Sequence, residues 1–143
     1  MENPIKTKIY IAGKITGDPN YKDKFANMEA ELLKTPETVV INPATLPEGL
    51  SPADYARICY AMIDSSDIAV FAPDYKESPG ALLEMQYCKY IRKKTLNFEE
   101  YIQCQALQVS QLPLSAKIVN EYIDNIRADI AAANRTNFKI FGR

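Results

Sequence analysis

The sequence predicts an α/β domain on a mostly parallel sheet, and three observations predict it. Short apolar runs alternate with amphipathic stretches, the signature of βαβ units. The runs are β-branched or continuously apolar, as in strands covered on both faces. They stop at Gly13, Asn42-Pro43 and Pro73-Asp74, residues that break strands. With 143 residues, 47% of them hydrophobic, the chain is long enough to bury one core.

The elements follow in order. Lys8 to Ala12 forms a strand ending at Gly13. Between Tyr21 and Lys34, Phe25, Met28, Leu32 and Leu33 fall at helical spacing. Thr38 to Ile41 is the second strand, and Pro43 to Leu50 a loop carrying Pro43, Pro47 and Gly49. Ser51-Pro52 pairs an N-cap serine with proline at the first helical position, so a helix runs from there to about Asp64. Ile68 to Ala72 is the central strand. Ser78-Pro79 opens another helix, expected to reach Lys93 or Lys94, and Thr95 to Phe98 a further short strand. After Phe98 the pattern weakens until Ser115 to Ala133, where Ile118, Tyr122, Ile126 and Ile130 make a helix stripe suited to core or oligomer contact. The expected architecture is a single-domain Rossmann/flavodoxin-like sheet of four to five strands. Residues 1–98 form its core, and 99–143 a C-terminal helical extension packed on that core or on a partner subunit.

Composition excludes several function classes. There is no histidine, which removes Ser-His and Cys-His nucleophile pairs and His-ligated zinc. A net charge of −1 gives no electrostatic reason to bind a nucleic acid polymer. Cys59, Cys88 and Cys104 are odd in number and widely spaced, so free thiols are expected rather than a disulfide framework. The acidic residues are scattered, so no metal site and no cofactor are expected. No apolar run approaches a bilayer span, and the start lacks a secretory pattern. A cytoplasmic protein is expected.

In open α/β sheets ligands bind beyond the carboxyl ends of the strands, where strand order reverses. If the first and third strands are neighbours, the loops from Gly13 to Gly17 and from Pro73 to Gly80 share one pocket. The first loop is flanked by glycines that let backbone amides approach a ligand, without the order of a Walker loop. The second reads Ser78-Pro79-Gly80-Ala81-Leu82-Leu83-Glu84. Helical side chains lean toward the N-terminus, so Glu84 lies over Gly80 and Ala81, a cleared surface. Ser78 and the first-turn amides are expected to make an anion site at the same helix start. A plain N-cap with a solvated glutamate is the competing structural reading of these residues.

Taken together, Lys8-Ile-Tyr-Ile-Ala-Gly13, Ile41-Asn42-Pro43, and Asp67-Ile-Ala-Val-Phe-Ala-Pro73 leading to Ser78-x-Gly80-Ala81-x-x-Glu84 resemble the nucleoside 2-deoxyribosyltransferase-like superfamily. The serine form is also similar to deoxynucleoside 5′-monophosphate N-glycosidases. The resemblance covers residues 8 to about 98. It implies that Glu84 attacks the anomeric carbon, displacing the base through a glycosyl ester that water or a second base resolves. It further implies that Tyr10 orients Glu84, that Gly13, Lys14 and Ile15 lie against base and sugar with Asn42 nearby, and that Ser78 with Gly80 holds a 5′-phosphate. Cys59 stands where the superfamily commonly carries an aspartate, which leaves Asp74 as the candidate to protonate the leaving base. The expected activity is a nucleotide N-glycosidase or N-deoxyribosyltransferase. The alternative is a non-catalytic nucleotide-binding module. The expected partners are a small nucleotide or nucleoside and, because related enzymes share pockets between subunits, further copies of the chain.

Overall fold

The computed structural model describes residues 5–110 and 121–128. Four strands make one parallel sheet: β1 (Thr7–Ala12), β2 (Thr38–Ile41), β3 (Ile68–Phe71) and β4 (Lys94–Asn97), in the spatial order β2-β1-β3-β4. In register, Tyr10 faces Ile41 on one side and Ala69 on the other, and Phe71 faces Asn97. The chain steps outward from β1 to β2, crosses back to β3 beside β1, then continues to β4. Strand order therefore reverses between β1 and β3, as the sequence reading required.

The helices are α1 (Tyr21–Leu32), α2 (Pro52–Asp64), α3 (Pro79–Tyr90) and α4 (Phe98–Ser110), and residues 121–128 are also helical. Because side chains alternate along a strand, β1 sends Ile9 and Ile11 to one face and Tyr10 and Ala12 to the other. Ile9 and Ile11 pack with Phe25, Met28 and Leu32 of α1 and Phe98 and Tyr101 of α4. Tyr10 and Ala12 pack with Cys59 and Ile63 of α2, Cys88 of α3 and Phe71. A sheet covered on both faces explains why its strands read as unbroken apolar runs.

Local chemistry sets the boundaries. Ser51 caps α2 through a reciprocal capping box with Asp54, and Ser78 caps α3 by accepting from the Ala81 N–H at 3.2 Å. Asp67, just ahead of β3, accepts from the Lys8 N–H at 2.8 Å and pins β3 to β1, so it is structural. Helix α3 is shorter than the sequence suggested. It closes at Tyr90 because Arg92 turns left-handed with φ 59° and the Lys93 N–H reaches back to the Cys88 carbonyl.

The weakly patterned stretch is α4, whose first turn supplies two core aromatics. In the later stripe Tyr122 and Ile126 are exposed on this chain, while Ile118 and Ile130 lie outside the described residues. No described helix is long and apolar enough to cross a membrane.

Gly13 is fixed by packing. A Cβ there would stand 2.8 Å from the Ala72 Cβ, at the point where the chain leaving β1 passes the end of β3. Gly13→Ala is expected to cost about 1–3 kcal/mol by overpacking, read as a lower denaturant midpoint at unchanged m-value.

Candidate active site

A cavity of about 710 Å³ opens at the carboxyl ends of β1 and β3. Its floor brings together Gly13, Ile15, Ser78 and Gly80 from the two loops singled out in the sequence, and Glu84 from α3. Its walls come from Cys59 of α2, which the sequence reading singled out, and from residues it passed over: Tyr21 of α1, Leu46 and Leu50 of the loop after β2, and Tyr55 and Tyr60 of α2. Tyr55, Ala56, Cys59 and Tyr60 occupy one helical face at i, i+1, i+4 and i+5, a spacing that does mark an exposed-to-pocket stripe. Tyr55 also stitches the neighbouring loop, donating to the Pro47 carbonyl at 2.7 Å and accepting from the Leu50 N–H. Tyr60 stacks on Tyr87 with centroids 4.3 Å apart, and the Tyr87 hydroxyl is tied to Asp64. Apolar and aromatic walls of this kind suit a flat heterocycle.

Glu84 is half-buried on the pocket floor. Burial pushes its carboxyl up to about 7, and the polarity of the Tyr10 hydroxyl and Cys59 thiol offsets only part of that. Tyr10 lies in the middle of β1 rather than at its end, and it is fully buried. Its hydroxyl has no hydrogen-bond partner of ordinary geometry among the described residues, and burial and then the Glu84 charge raise its pKa well above the usual tyrosine value. Burial likewise pushes the Cys59 thiol up to about 11. Two neutral donors therefore face one carboxylate, and both favour its charged form.

Other expected site residues are placed differently. Asp74 does not line the cavity. Its Oδ2 accepts from Lys24 Nζ at 2.6 Å and its Oδ1 from the Lys14 N–H at 3.2 Å. With both oxygens engaged by Lys24 and the Lys14 backbone, and outside the pocket lining, Asp74 is not placed beside a leaving base. Lys14 contributes backbone to this network, and its side chain is absent from the pocket lining. Asn42 is buried. It accepts from the Ala44 N–H and donates to Glu29, which shapes the loop whose Pro43 and Ala44 reach the cavity.

The anion site at α3 is thinner than expected. Ser78 Oγ already accepts from Ala81, Pro79 has no N–H, and the Leu82 N–H bonds the Ser78 carbonyl. Of the first-turn amides, that of Gly80 is left for a ligand.

Residues 7–97 match the family model described as a domain of unknown function, DUF4406. No curated protein matches the chain. Among solved structures, a 2-desoxiribosyltransferase from Leishmania mexicana superposes with a TM-score of 0.52 at 22% identity, covering 64% of this chain and 63% of that one. At that identity the likeness establishes a nucleoside 2-deoxyribosyltransferase-like fold.

Proposed function

The chain belongs to the DUF4406 family, and from its pocket we propose that it cleaves the bond between base and sugar in a nucleoside or nucleotide, with Glu84 as nucleophile. The observation that carries this reading is the half-buried Glu84 carboxylate on the floor of a tyrosine-walled cavity, faced by the neutral Tyr10 and Cys59. The base lies between the aromatic walls and the sugar over Gly80 and Ala81. A Glu84 oxygen then bonds to C1′ as the C1′–N bond breaks, and the bond's electron pair leaves with the base. Water, or the nitrogen of a second base, attacks C1′ next and frees the carboxylate. Tyr10 steadies the carboxylate between these steps.

The finer parts of the reading have different support. A 5′-phosphate at the start of α3 meets the Gly80 N–H and the capped Ser78, so adding one is expected to change affinity little. The extension beyond residue 98 as a contact with another copy is supported by exposed Tyr122 and Ile126. The experiment is chromatography for free base after incubation with a panel of nucleosides and their 5′-monophosphates. Base released by the wild type and not by Glu84→Gln supports the reading.

The nucleophile must be ionised, and its pKa is raised to about 7. Base release is therefore expected to climb with pH between about 6 and 8 and then level off. A rate that falls through that range contradicts Glu84 as the attacking group.

A second reading, a binding module without turnover, is favoured by two observations. Asp74 is locked to Lys24, and the Cys59 thiol, pushed up to about 11, is a poor proton donor to a departing base. Calorimetric binding of a nucleoside with no base released on long incubation supports it.

A further inference from the structure

The geometry points to Lys24 and its two aspartates as a clip that positions the pocket-lining loop from Gly13 to Thr16, which makes Asp74 a positioning residue. Lys24 is 7% exposed, rare for a lysine, and its ammonium has three protons to donate. Three acceptors take them: the Lys14 carbonyl, Asp18 Oδ2 and Asp74 Oδ2, each at 2.6 Å.

Each acceptor fixes a different piece of the loop. The Lys14 carbonyl belongs to its first half. Asp18 closes its second half, donating its N–H to the Ile15 carbonyl while its other oxygen accepts from the Asn20 N–H at 2.9 Å. Asp74 stands past the end of β3, and its Oδ1 takes the Lys14 N–H. Both backbone groups of Lys14 are thereby held by one ion-pair network. On either side of it, Gly13, Ile15 and Thr16 line the cavity, and Gly17 takes the left-handed φ of 81° that lets the chain turn back to Asp18.

Charge in this network is matched to a task away from the reacting atoms. Lys24 sits on α1, Asp74 after β3 and Asp18 at the loop's end, so the clip ties one pocket wall to two elements of the core. A buried ion pair contributes modestly to stability but strongly fixes geometry when all its hydrogen bonds are made. Slackening it lets Ile15 and Thr16 drift from the bound sugar or base, which weakens binding of ground state and transition state alike.

This inference rests on the reading that substrate occupies the cavity. The test is Asp74→Asn, with Asp18→Asn as a second variant, measured for KM, kcat, pH profile and hydrogen exchange of the amides from Lys14 to Asp18. Expected are faster exchange of those amides, KM raised about tenfold, kcat changed less than about threefold, and an ascending pH limb still near 7. Unchanged exchange and KM overturn the clip. So does a large fall in kcat with an altered pH profile, which would return Asp74 to proton transfer. If the wild type releases no base, the proposed activity falls, and exchange of the loop amides alone decides the clip. Should Asp74→Asn fail to fold, Asp18→Asn carries the same measurements, because Asp74 and the Lys14 carbonyl then still hold Lys24.

Discussion

Glu84→Gln is expected to abolish base release, with a loss of at least about 10³-fold at pH 8. The amide keeps the shape and most of the packing of the acid, so the pocket persists while the atom that must form the glycosyl ester loses its nucleophilicity. The same substitution makes an opposite prediction for stability. Burial raises the Glu84 pKa from the usual glutamate value to about 7, so folding binds a proton between those values. A raised folded-state pKa gives stability that is present at acid pH and lost as pH climbs through about 7. At pH 8 the wild type holds a buried charge at a cost of up to about 3 kcal/mol, which glutamine avoids. Glu84→Gln should therefore melt higher than wild type at pH 8, with the gap narrowing toward pH 5. A dead but more stable variant is the pattern of a strained functional group. A dead variant that is also less stable at pH 8 would mean that Glu84 holds the fold together.

Lys24→Met is expected to be the most destabilising of the substitutions considered, by about 3 kcal/mol, or on the order of 10 °C in melting temperature. Methionine fills the same buried channel but leaves two carboxylates and the Lys14 carbonyl without their donor. Asp18 and Asp74 are 20% and 26% exposed, so water partly relieves them, and the loss falls at the low end for a broken buried pair. The sign with pH follows from Asp18, whose hydrogen bond from Lys24 holds its carboxyl below the usual aspartate range. That stability is present at neutral pH and lost as pH falls through the lowered value. Denaturant melts of the variant and wild type should thus converge in acid. A deficit that is constant from pH 7 to pH 3 would assign the effect to packing.

What the sequence made legible was whatever chemistry is local. Ser51-Pro52 and Ser78-Pro79 cap helices because a serine oxygen and a proline ring act within one turn. The strand from Ile68 is readable because burial on both faces removes its polar residues. Glu84 could be placed on the pocket floor because helical side chains lean toward the N-terminus over Gly80 and Ala81.

The rest depended on partners far along the chain. Nothing near Asp74 announces Lys24, fifty residues earlier, so the carboxylate looked available for proton transfer. Asn42 looked like a ligand group until Glu29 and the Ala44 N–H were seen to occupy it. The tyrosine walls were missed because aromatic residues at helical spacing read as core until the sheet shows which side of α2 is covered. The bounds of helix α4 were not legible because its two buried aromatics, Phe98 and Tyr101, fall within a single turn and make no longer apolar stripe.

That single turn has a consequence for any attempt to trim the protein. Among the described residues, every side chain around the cavity precedes Met85, so a shortened chain ending at Asn97 would retain all the described chemical groups of the site. It would also lose the two rings that plug the α1 side of the sheet, leaving Ile9, Ile11 and Met28 wetted on that flank. Such a fragment should fail as a material rather than as a catalyst, clumping in the tube with its reactive groups intact.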